Sequence, residues 1–263
     1  MHGKILTIAG SDPSGGAGIQ ADIKTISALG GYAMAAITAL TVQNTRQVYE
    51  VHPVDAELVA GQVRAVLEDI IPDAIKVGMM GSAAIAKQLA RIFAEYNEIP
   101  LILDPVILST SGHSLLEGTG VGILISDIFP YLDLLTPNLA EAAFLTGADP
   151  IETIEDMIRA AEKLRAMGPK AVLVKGGHLT GDILTDILVT GEGGAEFSSP
   201  KIATDNTHGT GCTLAAAIAV GMGQGMDVNR AVLRGHDYVQ KAIMNAPGYG
   251  HGKGPLNHLV VLD

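Results

Sequence analysis

Short apolar runs alternate with stretches of helical periodicity along most of this chain. Residues 4–9 read as a strand and residues 19–29 as a helix closed by Gly30-Gly31. Residues 33–42 are apolar and β-capable, and stop at the polar Gln43-Asn44-Thr45. Helical periodicity follows over 56–70 and 83–96, with a short strand over 74–77 between them. Residues 101–103 form a buried-strand run ending at Asp104-Pro105. Residues 132–135 repeat the arrangement, ending at Thr136-Pro137-Asn138, and residues 171–174 repeat it again, ending at Lys175-Gly176-Gly177. Three such strands with helices between them predict an α/β fold whose parallel sheet is covered on both faces. Residues 183–189 and 196–202, joined by a glycine-rich turn over 191–194, predict a hairpin at the sheet edge, and 212–223 and 228–245 predict two final helices. With no low-complexity linker and no internal repeat, residues 1–263 are read as one domain.

Composition narrows the partners. Hydrophobic residues make up 48% and charged residues 17%, the balance of a compact protein. A net charge of −11 without a basic run repels a phosphate backbone, and the absence of tryptophan removes the best stacking platform for single strands. Neither nucleic acid nor an anionic membrane is expected as a partner. Cys212 is the single cysteine, which excludes an internal disulfide and a cysteine-rich zinc site. The first residues lack a signal-peptide core, and no apolar run reaches the roughly 18–20 residues of a spanning helix, so a cytoplasmic protein is expected.

In parallel sheets ligands bind beyond the carboxyl ends of the strands, so the polar residues there are the candidates. The strongest local signal is Asn206-Thr207-His208-Gly209-Thr210-Gly211-Cys212-Thr213, which runs into an apolar helix. Glycines let backbone N–H groups converge, and a helix N-terminus adds partial positive charge, together an anion hole for a phosphoryl group. A thiol in that first turn is expected to have a lowered pKa and to act as base or nucleophile. The plain alternative is a glycine-rich helix start with an inert cysteine.

A second signal is Gly10-Ser11-Asp12-Pro13-Ser14-Gly15-Gly16-Ala17-Gly18-Ile19-Gln20-Ala21-Asp22. Gly16-x-Gly18 invites a dinucleotide reading, but no acidic residue ends a second strand about 20 residues on. A substrate-facing loop fits better, with a simple strand–helix turn as the alternative. A Walker A sequence is absent, since Gly252-Lys253 lacks the earlier glycine and the following Ser or Thr. At the strand ends, Asp104 is a candidate metal ligand, Asn138 and Glu141 candidates for organising magnesium and its waters, and Lys175 a phosphate contact. Asn138-Leu139-Ala140-Glu141 also reads as an ordinary capped helix start.

Together these motifs resemble the ribokinase-like superfamily and, within it, the hydroxymethylpyrimidine/phosphomethylpyrimidine kinases of thiamine biosynthesis. The resemblance runs through the two motifs above and through Thr41-Val42-Gln43-Asn44-Thr45, Lys76-Val77-Gly78-Met79-Met80, Asp104-Pro105-Val106, Thr136-Pro137-Asn138-Leu139-Ala140-Glu141 and Lys175-Gly176-Gly177-His178. It implies a three-layer α/β/α fold with a mostly parallel central sheet, ATP and Mg2+ as cofactors, a small-molecule pyrimidine substrate and a homodimer. It also implies two successive phosphorylations, of the alcohol and then of its monophosphate. Catalysis would fall to Gly209, Thr210, Gly211, Cys212 and Lys175, and substrate binding to Gly10, Asp22, Gln43, Met79 and Val106. Nucleotide would be held by Asn138, Lys175, Thr207, Gly209 and Gly211, and metal by Asp104 and Glu141. Most ribokinase-like sugar kinases carry an aspartate where this chain has Cys212.

The chemistry of an aminopyrimidine agrees. Its exocyclic amine and ring nitrogen form a donor–acceptor pair that the Gln43 carboxamide complements. Met79 offers a polarisable contact for the ring face. Asp22 is positioned to accept from the amine or to anchor Gln43. The rival readings are pyridoxal kinase on the same fold, whose substrate lacks the amine–nitrogen pair, a non-catalytic pyrimidine sensor, and a dinucleotide-dependent oxidoreductase.

Overall fold

A computed structural model describes residues 2–107, 118–177 and 181–261. It opens with strand β1 (Lys4–Ser11), helix α1 (Gly18–Ala28), strands β2 (Tyr32–Gln43) and β3 (Val48–Pro53), α2 (Ala56–Asp69), β4 (Ala74–Val77), α3 (Ala83–Glu95) and β5 (Leu101–Leu103). Helix α4 (Gly118–Ile123) continues as a π turn (Leu124–Ile128) and a 3-10 turn (Phe129–Tyr131). Then come β6 (Leu134–Leu135), α5 (Leu139–Thr146), α6 (Ile154–Ala166), β7 (Val172–Val174), β8 (Ile183–Thr190), β9 (Gly193–Pro200), α7 (Thr210–Gly223) and α8 (Val228–Met244).

The strands form one sheet in the order β3-β2-β1-β4-β5-β6-β7-β8-β9. Pairing is parallel from β2 through β7 and antiparallel for β2–β3, β7–β8 and β8–β9. Side chains alternate between faces with period two. Leu6, Ile8, Ile75, Val77, Leu101 and Leu103 pack under α2–α6, while Ile5, Ala74, Ile102 and Leu134 pack under α1, α7 and α8. This is the three-layer arrangement that the alternating pattern implies. The same alternation turns Thr7 and Lys76 toward α1, where they are register partners on neighbouring strands and both fully buried.

Two expectations change. Residues 43–45 are not a plain break. Gln43 ends β2, Asn44 N–H donates to the Gln47 carbonyl, and Asn44 Oδ1 accepts from Arg46 and Gln47 N–H, so the chain turns back as β3. This edge strand carries exposed Glu50 and His52, and its polar face hides it from an apolar-run criterion. The strand expected over 132–135 shortens to Leu134–Leu135, because Leu132 closes the 3-10 turn through its N–H to the Phe129 carbonyl. Helices α4 and α6 were not expected.

Candidate active site

The parallel strands deliver their carboxyl ends in a row. Asp104 leaves β5 with its N–H on the Val77 carbonyl and is buried. Lys175 leaves β7 and reaches back, its Nζ 2.7 Å from Asp104 Oδ1, with Thr136 Oγ1 donating to the same oxygen at 3.4 Å. Burial works against the Lys175 charge, but Asp104 and then Glu141 outweigh it and raise the pKa. The cation is permanent.

Asn138 caps α5, accepting from Glu141 N–H, and Glu141 Oε2 accepts from Asn138 N–H in return. This is the capping box anticipated as the plain reading. Burial pushes the Glu141 carboxyl up to about 7, Asp104 adding to the rise and Lys175 opposing it. Among the described residues no group of three His, Cys, Asp or Glu could hold a metal alone. Asp104 and Glu141 are therefore two carboxylates beside a cation, a donor set that suits an ion keeping most of its waters.

Residues 207–213 build the opposite wall. Gly209 adopts φ +82°, and a β-carbon there would lie 1.8 Å from the Gly16 carbonyl oxygen. Only glycine fits that left-handed, backbone-to-backbone contact. A β-carbon on Gly211 would sit 3.1 Å from Lys175 Nζ and 3.4 Å from Asp104 Oδ2. The bare start of α7 thus lies against the Lys175–Asp104 pair, closely enough that even a β-carbon on Gly211 would crowd the ammonium, and of its first N–H groups Thr210 donates to the Thr207 carbonyl.

Cys212 departs from expectation. Burial pushes its thiol up to about 11, Lys76 pulls it down, Asp104 and Asp22 push it up again, and the Gly18 N–H donates to it. The helix N-terminus does not overcome desolvation and two carboxylates. On the order of one thiol in 10⁴ is ionised at pH 7. Alkylation of Cys212 by iodoacetamide is accordingly expected to keep accelerating from pH 7 to pH 10. A rate that levels off near pH 7–8 would show a thiolate already formed.

The N-terminal loop is organised by Asp12, a residue that carried no assigned role. Asp12 Oδ1 accepts from Ser14 N–H and Oγ, and Oδ2 accepts from Gly16 and Ala17 N–H and from His208 Nε2 at 2.8 Å. Burial opposes its charge, yet hydrogen bonds from His208 and Ser14 bring it down to about 2. His208 thereby joins the substrate-side loop to the anion-hole loop. Its partner lies 196 positions away in sequence, so only the Asx-turn pattern of Asp12-Pro13-Ser14 hinted at the arrangement.

Gln43 lies 3.4 Å from His208 Nε2 through its amide nitrogen, and its Oε1 accepts from Thr41 Oγ1. Asp22 does not anchor it. The Asp22 carboxylate is fully buried beneath the site, 2.8 and 3.0 Å from Lys76 Nζ and 2.5 Å from Thr7 Oγ1. Its partners are Lys76 and Thr7 rather than Gln43, which corrects the anchoring role expected of it. Gly10 and Met79 do meet, since a β-carbon on Gly10 would be 2.4 Å from Met79 Cε. Val106 is half-buried with its N–H on the Asp104 carbonyl, and His178 lies outside the described residues.

Beside the anion hole opens a cavity of about 560 Å³. Gln43, Asn138, Lys175, Thr207, Gly209, Thr210 and Gly211 are on its wall, with apolar Leu184, Leu214, Val239 and Ile243 opposite. Gly10, Asp22, Met79, Asp104, Val106, Glu141 and Cys212 are not on that wall. An elongated anion with an apolar end fits this cavity, with its charge at the glycines.

Known proteins match along the whole site. A family model for phosphomethylpyrimidine kinase matches residues 12–257. The hydroxymethylpyrimidine/phosphomethylpyrimidine kinase of Bacillus subtilis is 44% identical over 256 residues, covering 97% of this chain and 94% of that protein. A thiamine biosynthesis bifunctional protein of Geobacter sulfurreducens is 44% identical over 262 residues; this chain, fully covered, spans 53% of its length. Among solved structures, phosphomethylpyrimidine kinase of Clostridium difficile 630 superposes with TM-score 0.81 at 41% identity, over 91% of this chain and 99% of that one. An ADP complex of Bacillus subtilis pyridoxal kinase gives TM-score 0.89 at 32% identity, over 98% of both chains. The fold is ribokinase-like, and from the Asp12 loop through the anion hole this chain belongs to the phosphomethylpyrimidine kinase family.

Proposed function

We infer that the protein is an ATP-dependent kinase of thiamine biosynthesis. It phosphorylates the hydroxymethyl group of 4-amino-5-hydroxymethyl-2-methylpyrimidine and then the resulting monophosphate. The observation that carries this reading is the bare Gly211 against the Lys175–Asp104 pair, with Gly211 and Lys175 both on the cavity wall. Phosphoryl transfer asks mainly for in-line positioning and charge neutralisation, and this arrangement offers both. Backbone N–H groups of Gly209 and Gly211 receive the transferred group, Thr210 between them donates to the Thr207 carbonyl and shapes the turn, and Lys175 neutralises charge beside it. Thr207 and Asn138 border the nucleotide. Magnesium, when bound, offsets the charge of the phosphates, with Asp104 and Glu141 as the residues that would hold it through its waters.

The pyrimidine lies under the N-terminal loop between Gly10, Met79 and Val106, with Gln43 pairing its amine and ring nitrogen. Asp22 acts from below the floor. With its thiol protonated in the free protein, Cys212 meets the acceptor as a hydrogen-bonding wall, and loses its proton only if ligands shift its pKa. The chain works as one catalytic domain in the cytoplasm, and among the described residues no helix is long and apolar enough to cross a membrane. A homodimer is consistent with exposed Leu40 and Val42, side by side on one face of the β2–β3 hairpin.

Gln43→Ala is expected to weaken pyrimidine binding by about 1–3 kcal/mol, the scale of one bidentate contact, with ATP affinity nearly intact. Unchanged pyrimidine KM and Kd would remove Gln43 from the site. The function itself is tested by coupled ADP release with the pyrimidine alcohol, its monophosphate and pyridoxal. Turnover of both pyrimidines well above pyridoxal is the expected result; preference for pyridoxal would overturn the assignment.

A further inference from the structure

Two cations on the cavity wall are left over by this chemistry. Arg46 sits in the β2–β3 turn, three residues beyond Gln43, and Lys253 lies in the glycine-rich stretch Gly248-Tyr249-Gly250-His251-Gly252-Lys253-Gly254. Both residues are exposed, and among the described residues neither charged group has a hydrogen-bond or ion-pair partner; Arg46 donates only through its backbone, to Asn44 Oδ1. The chain carries 17 Lys and Arg against 28 Asp and Glu, so two unpaired cations on one wall run against its overall charge. Lys175, the third cation there, is committed to Asp104. Among the described residues the one lining carboxylate, Asp186, accepts from Gly176 N–H and lies 3.9 Å from His236 Nε2.

The backbone fixes where these cations stand. Gly252 N–H donates to Thr45 Oγ1 at 3.2 Å, and a β-carbon on Gly252 would fall 2.1 Å from the Thr45 carbonyl oxygen. On the other side of Lys253, the Gly254 carbonyl accepts from His208 N–H at 3.1 Å. The segment bearing Lys253 is thus stapled to the Arg46 turn at one end and to the anion-hole loop at the other. Both anchors belong to the acceptor's side: Gln43 shares the turn, and His208 binds Asp12. The apolar wall suited to a nucleotide base, with Val239 and Ile243, is formed by α8.

The two acceptors differ in one respect that such cations would sense. The alcohol is neutral, whereas a phosphate monoester is close to a dianion at neutral pH and must approach a triphosphate that is itself highly charged. We propose that Arg46 and Lys253 form a subsite for the phosphate of the phosphorylated acceptor and favour the second transfer over the first. The proposal rests on the two-step reading above and names the residues that distinguish the steps.

The test compares wild type with Arg46→Gln, Lys253→Gln and the double variant, measuring kcat/KM for the alcohol and the monophosphate and KM for ATP. Each single change is expected to lower kcat/KM for the monophosphate about tenfold, mainly through KM, on the scale of one charge-assisted contact. The alcohol should lose no more than about threefold, and raising ionic strength on wild type should reproduce the selective loss. Arg46→Lys and Lys253→Arg should restore most of the second step, which a misfolded turn would not. Equal losses on both acceptors with a raised KM for ATP would assign the cations to the nucleotide and overturn the proposal. So would no loss, or a wild type that accepts the alcohol alone. A wild type that turns over neither pyrimidine would refute the proposed function instead. Calorimetry of the monophosphate on wild type and the double variant would then decide the subsite by itself, equal affinities overturning it.

Discussion

Gly211→Val is expected to abolish both phosphoryl transfers, lowering kcat by at least about 10³-fold, in a protein that remains folded. Loss of a single donor from an oxyanion-type hole already costs about 10²–10³-fold, and a side chain here closes the hole itself. Its first carbon would stand 3.1 Å from Lys175 Nζ and 3.4 Å from Asp104 Oδ2, and the two methyl groups beyond it would fill the remaining space. Folding should survive, because Gly211 is absent from the positive-φ glycines and valine is acceptable in the first turn of α7. Gly209→Val is the contrasting case. With φ +82° and a β-carbon 1.8 Å from the Gly16 carbonyl oxygen, it should lose soluble protein rather than turnover alone. The measurement is steady-state turnover of both acceptors together with the circular dichroism of each variant. A folded Gly211→Val protein with normal turnover would show that the transferred group passes elsewhere.

Lys76→Met should destabilise the fold by about 3–5 kcal/mol, the scale for breaking a buried ion pair from one side. Lys76 and Asp22 are both fully buried, and the ammonium spans both carboxylate oxygens. Burial works against the Lys76 charge, but Asp22, Cys212 and Asp104 hold its pKa above the ordinary lysine value. Methionine leaves Asp22 charged in the interior with Thr7 as its remaining partner. Melting temperature should fall by about 10 °C, and Asp22→Leu in the same chain should recover most of the loss. The deficit also has a pH signature. Burial already raises the Asp22 carboxyl against the pull of Lys76 and Thr7, and without Lys76 the folded-state pKa climbs further. A group raised on folding stabilises when protonated and loses that contribution as pH rises through its folded pKa. The gap between variant and wild type should therefore narrow as pH falls from 8 toward 5. A gap independent of pH, or a double variant no more stable than the single, would refute the buried-charge account.

The sheet and the glycine-rich start of α7 were legible from local pattern because both depend on neighbours in sequence. Apolar runs ending at Asp104, Thr136 and Lys175 mark strands that terminate at a site, and glycines before an apolar helix mark its bare N-terminus. Strand β3 escaped because Glu50 and His52 alternate with Tyr49, Val51 and Pro53, so this edge strand has one polar face and no apolar run. The roles of Asp22 and Cys212 escaped for a different reason. Lys76 reaches Asp22 only through the parallel register that sets Thr7 beside Lys76, and the Cys212 thiol is held up by burial, to which the carboxylates of Asp104, after β5, and Asp22, on α1, add. Long-range pairings of this kind have no signature within a window of residues, as Asp12 and His208 also show.

The strand order has a consequence for how such a protein changes its substrate. Reading across β1, β4, β5, β6 and β7, the strand ends present Ser11, Gly78, Asp104, Thr136 and Lys175 in succession. Neighbouring strands stand about 4.8 Å apart, so the row runs about 19 Å from Ser11 to Lys175. Each station hangs on its own loop, while the spacing between stations is set by backbone hydrogen bonds that do not depend on side-chain identity. Loops after β1 and β2 can therefore be rewritten for a new ring while the machinery after β5 and β7 keeps its place. A lineage on this scaffold can exchange one vitamin precursor for another by editing one end of a ruler whose other end never moves.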